Sequence, residues 1–305
     1  IFGGNPREYS SIFNWFIDYM FTTFYHKISG RSLEYWIPHI EYFQSIIHNR
    51  LSQPPSAAEL AADPTLQFIQ VLEVALELFR VWAFIDCTDM RTARPGSGPQ
   101  PDGSRRVNAH EIQLEFYSRY FRAHGLKFLS LLLPNGLVGT VFGANLSQND
   151  NGMINLSGLS DYLLSLLQPM PSHNLYPTVF GDSIMQLTPV IQSYPRTDSA
   201  RSRIWKRRMA SARMSIELDY GLLFNNFRIM IKENDHHLFN NGEHTFRLGI
   251  VCFFLKNCYV CLNGSTTNTM FDVDPPTLEQ YLPIDEELIE YIPIPFAEDY
   301  QFDYG

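Results

Sequence analysis

Apolar positions recur at three- and four-residue steps near the start of the chain. Ile12, Phe13, Phe16, Ile17, Met20, Phe21 and Phe24 define one side of a helix predicted over 7–28, with Asn5-Pro6 as cap and first turn. Leu33, Trp36, Ile37, Ile40, Phe43 and Ile46 predict a second helix over 32–50. Pro54-Pro55 and Pro64 mark a break from Ser52 to Asp63, and a third apolar helix is predicted over 65–80. The pattern then changes. Val81-Trp82-Ala83-Phe84-Ile85 is a continuous apolar run, the signature of a strand covered on both faces, and it ends in Asp86. From 90 to 110 the chain reads as loop, with prolines and glycines crowded into 94–99. Leu126 to Leu133 and Leu137 to Gly143 flank Pro134-Asn135-Gly136, a hairpin signal. A helix is predicted over 152–168 and a strand over 176–182, ending at Asp182. Long helices follow from Met209 to Met230 and from Thr245 to Leu262.

Locally paired strands, a crossover helix, a further strand and helices on the faces predict an α/β layered domain. By analogy, that order is the one of an RNase H-like mixed sheet flanked by helices. Three regions result. Residues 1–80 are helical, either the remnant of a helix-turn-helix DNA reader or a cap over the core. Residues 81–263 form the α/β domain. Residues 264–305 read as an extended tail of acids and prolines, in which Tyr281, Ile284, Leu288, Ile289, Tyr291 and Phe296 could dock on the core. No run of about 18 apolar residues appears, so no membrane-spanning helix is expected. No signal-peptide pattern is present either. The chain begins with Ile1 rather than Met and reads as a fragment.

Charge changes this picture. The net charge of −9 argues at first against nucleic acid. Its distribution argues the other way: residues 81–263 hold 18 Lys/Arg against 14 Asp/Glu, whereas 264–305 hold ten acids and no Lys or Arg. The middle is mildly basic. Arg201, Arg203, Lys206, Arg207, Arg208 and Arg213 form a basic run that would neutralise phosphates, or serve as a nuclear-import signal, or simply be a solvated helix face. Lys127 is a further candidate for phosphate contact, whereas His124 reads as structural. His236, His237 and His244 lack the helical spacing of a zinc site and receive no role. The four cysteines suggest a reduced compartment without a disulfide framework. Cys258 and Cys261 resemble half a zinc site, but their apolar neighbours favour small core residues.

The candidate chemistry lies in three carboxylates. Asp86 and Asp182 end predicted strands, and Glu217 follows inside a helix at the interval of a DDE nuclease core. Acids at the carboxyl ends of sheet strands sit where open α/β sheets place ligands. Like charges about 4 Å apart repel by roughly 4 kcal/mol at an effective dielectric near 20, so such a cluster is a poor structural device. It is a good cradle for two divalent ions, Mg2+ or Mn2+, which together activate a nucleophile and stabilise a leaving oxygen. In that arrangement Asp86 would bridge both ions, with Asp182 and Glu217 each serving one.

Local sequence adds a resemblance. Val81–Pro95, VWAFIDCTDMRTARP, is similar to the first block of Harbinger-type DDE transposases and the nucleases derived from them. Tyr117-Ser118, His124-Gly125-Leu126-Lys127 and Pro134-Asn135-Gly136-Leu137 resemble the second block. Asn149-Asp150-Asn151 is a looser match that keeps the acid and loses the family's His. Gly181-Asp182, then Arg213 to Glu217 with Tyr220-Gly221, then Leu255-Lys256-Asn257 resemble the remaining blocks. The likeness covers about 81–263, with a weaker match from Ile1 to Phe24 to the helix-turn-helix edge.

The resemblance implies metal-dependent cutting and joining of double-stranded DNA at transposon ends in the nucleus, with Asp86, Asp182 and Glu217 as ligands. It makes Asp150 a supporting partner; a surface acid after a loop is the alternative. Asp89 stands where the family usually has His and adds negative charge beside Asp86. A separate DNA-binding partner protein is implied, a homo-oligomer is left open, and no membrane is expected. Two other readings compete: a catalytically silent descendant that binds DNA or protein, and an interaction module whose acidic tail covers its basic face.

Overall fold

The structure is a computed structural model that describes residues 6–52, 57–62, 64, 80–94, 109–171, 174–194, 200–231 and 242–283. Its centre is β1 (Val81–Thr92), which begins with the apolar run and buries Trp82, Ala83, Phe84 and Ile85 completely. On one side β1 pairs antiparallel with β3 (Ala123–Leu132), whose first residues also pair with the two-residue β2 (Tyr117–Ser118). β3 turns into β4 (Val138–Asn145). On its other side β1 pairs in parallel with β5 (Thr178–Phe180), and β5 pairs in parallel with β6 (Ile191–Gln192). The main order is therefore β4-β3-β1-β5-β6, a mixed open sheet.

The strand carrying Asp86 does not end there. β3 supplies a ladder as far as Thr92↔His124, so 90–92, expected as loop, are strand. Parallel pairing with β5 stops at Phe84↔Phe180, and beyond it β1 has a strand neighbour on one side only among the described residues. The hairpin between β3 and β4 forms as predicted. Gly136 adopts φ 82, a left-handed conformation that favours glycine, and its N–H donates to Leu133 O at 3.0 Å.

The first helix, α1 (Pro6–Phe24), is followed by a 3-10 turn at Tyr25–Lys27. The single helix expected over 32–50 is divided into α2 (Ser32–Trp36), a 3-10 turn at Ile37–His39 and α3 (Ile40–Leu51). Pro38 has no N–H to give to an α-helical ladder, which accounts for the interruption. A short α4 (Ala57–Ala62) falls within the expected break, and the helix predicted over 65–80 lies outside the described residues except for Arg80. Helix α5 (Ala109–Phe116) precedes β2. The helix expected over 152–168 is two, α6 (Asp150–Ser157) and α7 (Leu159–Leu166), separated where Gly158 turns to φ 59. The Glu217 helix, α8 (Ala200–Asn226), begins earlier than the expected Met209, and α9 (Gly242–Asn263) follows.

The start of the tail is also corrected. Residues expected as extended chain form α10 (Thr266–Phe271) and α11 (Leu278–Tyr281), each opened by a reciprocal capping box, Ser265 with Asn268 and Thr277 with Gln280. Tyr281 is buried and its hydroxyl accepts from Asn257 Nδ2 at 3.0 Å. Residues 284–305, with the other expected docking residues, lie outside the described part.

Helices cover both faces of the sheet. On one, Phe128 of β3 meets Phe253 of α9 at 5.7 Å. Gly249 permits this approach, since a Cβ there would fall 2.3 Å from Phe128 Cζ. On the other face, Lys127 of β3 reaches Asp150 of α6. Phe24 of α1 stacks on Phe254 at 4.7 Å, Gln44 of α3 donates to Arg80 O just before β1, and Val141 of edge strand β4 donates to Ile28 O. One continuous hydrophobic core includes these N-terminal helices and the sheet. The stretch Glu243–Asn263 is long and apolar enough to cross a membrane by length and composition, although no such helix was expected. It is mostly buried within this core, 61% of its apolar window being covered by protein.

Candidate active site

The β1–β5 ladder brings two of the three expected acids to one place. Asp86 and Asp182 each lie two residues beyond the last parallel pair, Phe84↔Phe180, so both backbones arrive at the same end of the ladder. Asp86 Oδ1 accepts from its neighbour Cys87 N at 2.9 Å, and Oδ2 accepts from Arg213 Nη1 at 2.8 Å. Arg213 also donates through Nη2 to Glu217 Oε1 at 2.7 Å, one turn further along α8. One guanidinium therefore joins the strand acid to the helix acid. Burial pushes the Asp86 carboxyl up from its ordinary pKa; the Cys87 N–H and Arg213 oppose this, while the fields of Asp150 and Asp182 add to it. Burial pulls Arg213 down, but Asp86, Asp182 and Glu217 overcome it and leave its pKa raised.

Buried polar contacts fix this geometry. Tyr220, one turn below Glu217, donates its hydroxyl hydrogen to Asp86 O at 2.7 Å. A phenol has one hydrogen, so the 2.8 Å contact with Ser130 must be donated by Ser130 Oγ. Ser130 is the register partner of Asp86, so this chain ties α8 to both central strands. Asp219, on the opposite side of α8 from Glu217, forms a fully buried ion pair with Lys256 of α9, and Lys256 also donates to Gly136 O at 3.0 Å. Asn151 holds the segment after Asp182: it donates to Ile184 O at 2.8 Å and accepts from Gln186 N at 2.6 Å.

Other expected residues have different partners. Asp150 opens α6 behind the N-cap Asn149, whose side chain accepts from Gly152 N at 2.7 Å. It binds Lys127 at 2.8 Å. Lys127, expected to meet phosphate, is instead buried in this pair. Asp89 faces the same lysine and Arg91 through charge, and burial raises its pKa. In the basic run, Arg208 donates to Leu51 O and Arg213 is held by carboxylates, so neither is simply a solvated phosphate ligand. Arg207 is exposed and Lys206 half-buried; the side chains of Arg201 and Arg203 lie outside the described residues, as do His236 and His237. Cys258 and Cys261 are free thiols with pKa values pushed up by burial to about 12 and about 11, in keeping with core packing.

Sequence reasoning missed Tyr220, Ser130 and Asn151 as parts of the site. Ser130 carries no periodic signal, because its role depends on a strand register, and Tyr220 stood in the Tyr220-Gly221 block without an assigned role. Asn151 stood inside the Asn149-Asp150-Asn151 block without an assigned partner.

The donor set suits a hard divalent ion by chemistry, since every ligand atom is a carboxylate oxygen. Asp86, Asp182 and Glu217 carry three negative charges when ionised, against one from Arg213, while Lys127 and Asp150 neutralise each other. Among the described residues no group of three or more His, Cys, Asp and Glu is placed so that it could hold a metal ion. Arg213 stands between Asp86 and Glu217. Glu217, half-exposed, is held by Arg213 rather than gathered with Asp86 and Asp182 around one position. No protein-family model matches the chain, and no curated protein or solved structure gives a match.

Proposed function

We propose that the chain is a metal-dependent DDE-type endonuclease of the Harbinger kind, cutting and joining DNA phosphodiesters at transposon ends. The observation that carries this reading is the meeting of Asp86 and Asp182 at the end of one parallel ladder, with Arg213 linking Asp86 to Glu217. The strand order β4-β3-β1-β5-β6, antiparallel on one side of β1 and parallel on the other, supports an RNase H-like assignment within the mixed α/β class. Sequence blocks similar to the Harbinger family support the substrate, double-stranded DNA, together with a nuclear location and a separate DNA-binding partner.

Asp86, Asp182 and Glu217 would hold the divalent ions, Mg2+ or Mn2+. When bound, these supply an activated water or hydroxyl and stabilisation of the leaving oxygen. Arg213 opposes the burial that favours a protonated Asp86 and holds its Oδ2. Tyr220 and Ser130 hold the Asp86 backbone so that its carboxylate cannot drift from the Asp182 end. Asn151 restrains the turn that follows Asp182. When Glu217 leaves it, one face of the Arg213 guanidinium becomes available to a phosphate.

Manganese- or magnesium-dependent nicking of supercoiled plasmid tests the proposal. Asp86→Asn, Asp182→Asn and Glu217→Gln should each lower nicking by at least about 100-fold, the scale of losing an electrostatic element from a reaction centre. Equal nicking by the wild type and Asp86→Asn overturns the assignment. A second reading, a silent DNA- or protein-binding descendant, draws on the Arg213 double ion pair, which already occupies carboxylate oxygens. Retained DNA binding with no nicking by the wild type selects that reading.

A further inference from the structure

β1 divides two environments. Asp86 faces α8, whereas Cys87 and Asp89 point to the other side, into an open cavity of about 880 Å³. Ile184, two residues beyond Asp182, and Asp150 also line this cavity, so it adjoins the carboxylate site across a single strand. Its outer wall is aromatic. Tyr117 comes from β2, Tyr120 and Phe121 come from the turn between β2 and β3, and Tyr120 is 88% exposed. Tyr120 meets Phe121 edge-on at 4.8 Å, and Phe121 in turn lies under the charges of Arg91 and Lys127 at 5.4 and 6.0 Å. The Phe121 face is thus in use, while the Tyr120 ring is left to solvent. The inner wall is polar. Lys127 is satisfied by Asp150, but Asp89 interacts with its basic neighbours through charge, and no described residue donates a hydrogen bond to it.

A large, open aromatic ring with an inward carboxylate acceptor is the combination that recognises an unstacked nucleobase. Stacking accepts any base, and the carboxylate selects those that offer N–H groups on the Watson–Crick edge. We propose that this cavity receives one unpaired base from DNA held at Asp86, stacked on Tyr120 and donating to Asp89, with guanine preferred. Guanine places N1–H and an exocyclic amine side by side, matching the two oxygens of one carboxylate, whereas thymine has no exocyclic amine. A nucleotide fits easily within the available volume. The inference rests on the reading above that DNA lies at the carboxylate site.

The test is fluorescence anisotropy in EDTA, so that no cleavage intervenes. Labelled duplexes are compared that are fully paired or carry one unpaired guanine or one unpaired thymine. The unpaired guanine should tighten binding by about 10-fold over the paired duplex, the scale of one base stacked on an aromatic ring, and the thymine by clearly less. Tyr120→Ala, at an exposed position where folding is not at issue, should remove the gain for both bases. Asp89→Asn should remove the difference between them. Plasmid nicking by the wild type is measured separately. Nicking without any advantage for an unpaired base overturns this inference alone. The advantage without nicking supports the pocket and overturns the nuclease reading, and absence of both overturns the two together. Equal gains for guanine and thymine, or a gain that survives Tyr120→Ala, also overturn it.

Discussion

Replacing Lys256 by Met leaves Asp219 as a lone acid in the deepest part of the protein. Both side chains are fully buried, so water cannot replace the missing partner. Removing one member of such a pair costs about 3–5 kcal/mol, because the remaining charge must stay uncompensated or take up a proton. Lys256→Met also removes the donor to Gly136 O at the β3–β4 turn. Against a total stability of about 5–15 kcal/mol the loss is large. With a urea slope of about 3 kcal/mol/M, the midpoint should fall by roughly 1 M or more. Asp219→Leu alone should be comparably damaging. The double variant Asp219→Leu/Lys256→Met should recover most of the loss, since apolar replacement of a whole buried pair is often neutral or better. Urea unfolding followed by tryptophan fluorescence measures all four proteins. Nicking should follow the same order, because this pair anchors the side of α8 opposite Glu217. A cost below about 1 kcal/mol for either single variant, or a double variant as unstable as the summed singles, refutes the reasoning.

Asp86→Asn should stabilise the metal-free protein near neutral pH while abolishing nicking. The folded Asp86 pKa is raised above its unfolded value, so its contribution is full at pH below the unfolded pKa and is lost as pH rises through the folded one. The Tm advantage of Asp86→Asn should therefore grow as pH rises through and above the ordinary carboxyl range, and Mg2+ should narrow it by stabilising only the wild type. Tyr220→Phe leaves Ser130 without its acceptor and Asp86 O without a donor, and should cost about 1–3 kcal/mol in urea unfolding. Gly249→Ala drives a methyl into the Phe128 ring and should cost about 1–3 kcal/mol by the same measurement; an unchanged midpoint would contradict the close packing of α9 on β3.

The central elements were readable because their patterns are long and their cause is local. The run before Asp86, the Asn135-Gly136 hairpin and the Glu217 helix each announce themselves in a few consecutive residues. Boundaries set by partners were not readable. Nothing in Cys87 to Thr92 shows that β3 extends a ladder alongside it, and β6 is too short to have a period. Pro38 and Gly158 were breakers in plain view, but the apolar spacing on either side outweighed them. At the site, the three acids could be proposed from their spacing and from family resemblance. The role of Arg213 could not, since a basic residue amid a basic run looks like a phosphate ligand until its neighbours across space are known. The pairing of Lys127 with Asp150 was hidden for the same reason.

The segment after α9 has a practical meaning for anyone dividing this chain. Phe271 stacks against Phe84 at 5.8 Å, and Tyr281 lies on Phe254 at 6.0 Å while satisfying the buried Asn257 amide. A fragment stopped at Asn263, the boundary that charge and prolines suggest, would bare greasy sockets on the central strand and on α9 and take one of three hydrogen bonds from the buried Asn257 side chain. It should be recovered as insoluble or sticky material, whereas one carried through residue 283 keeps its own lid.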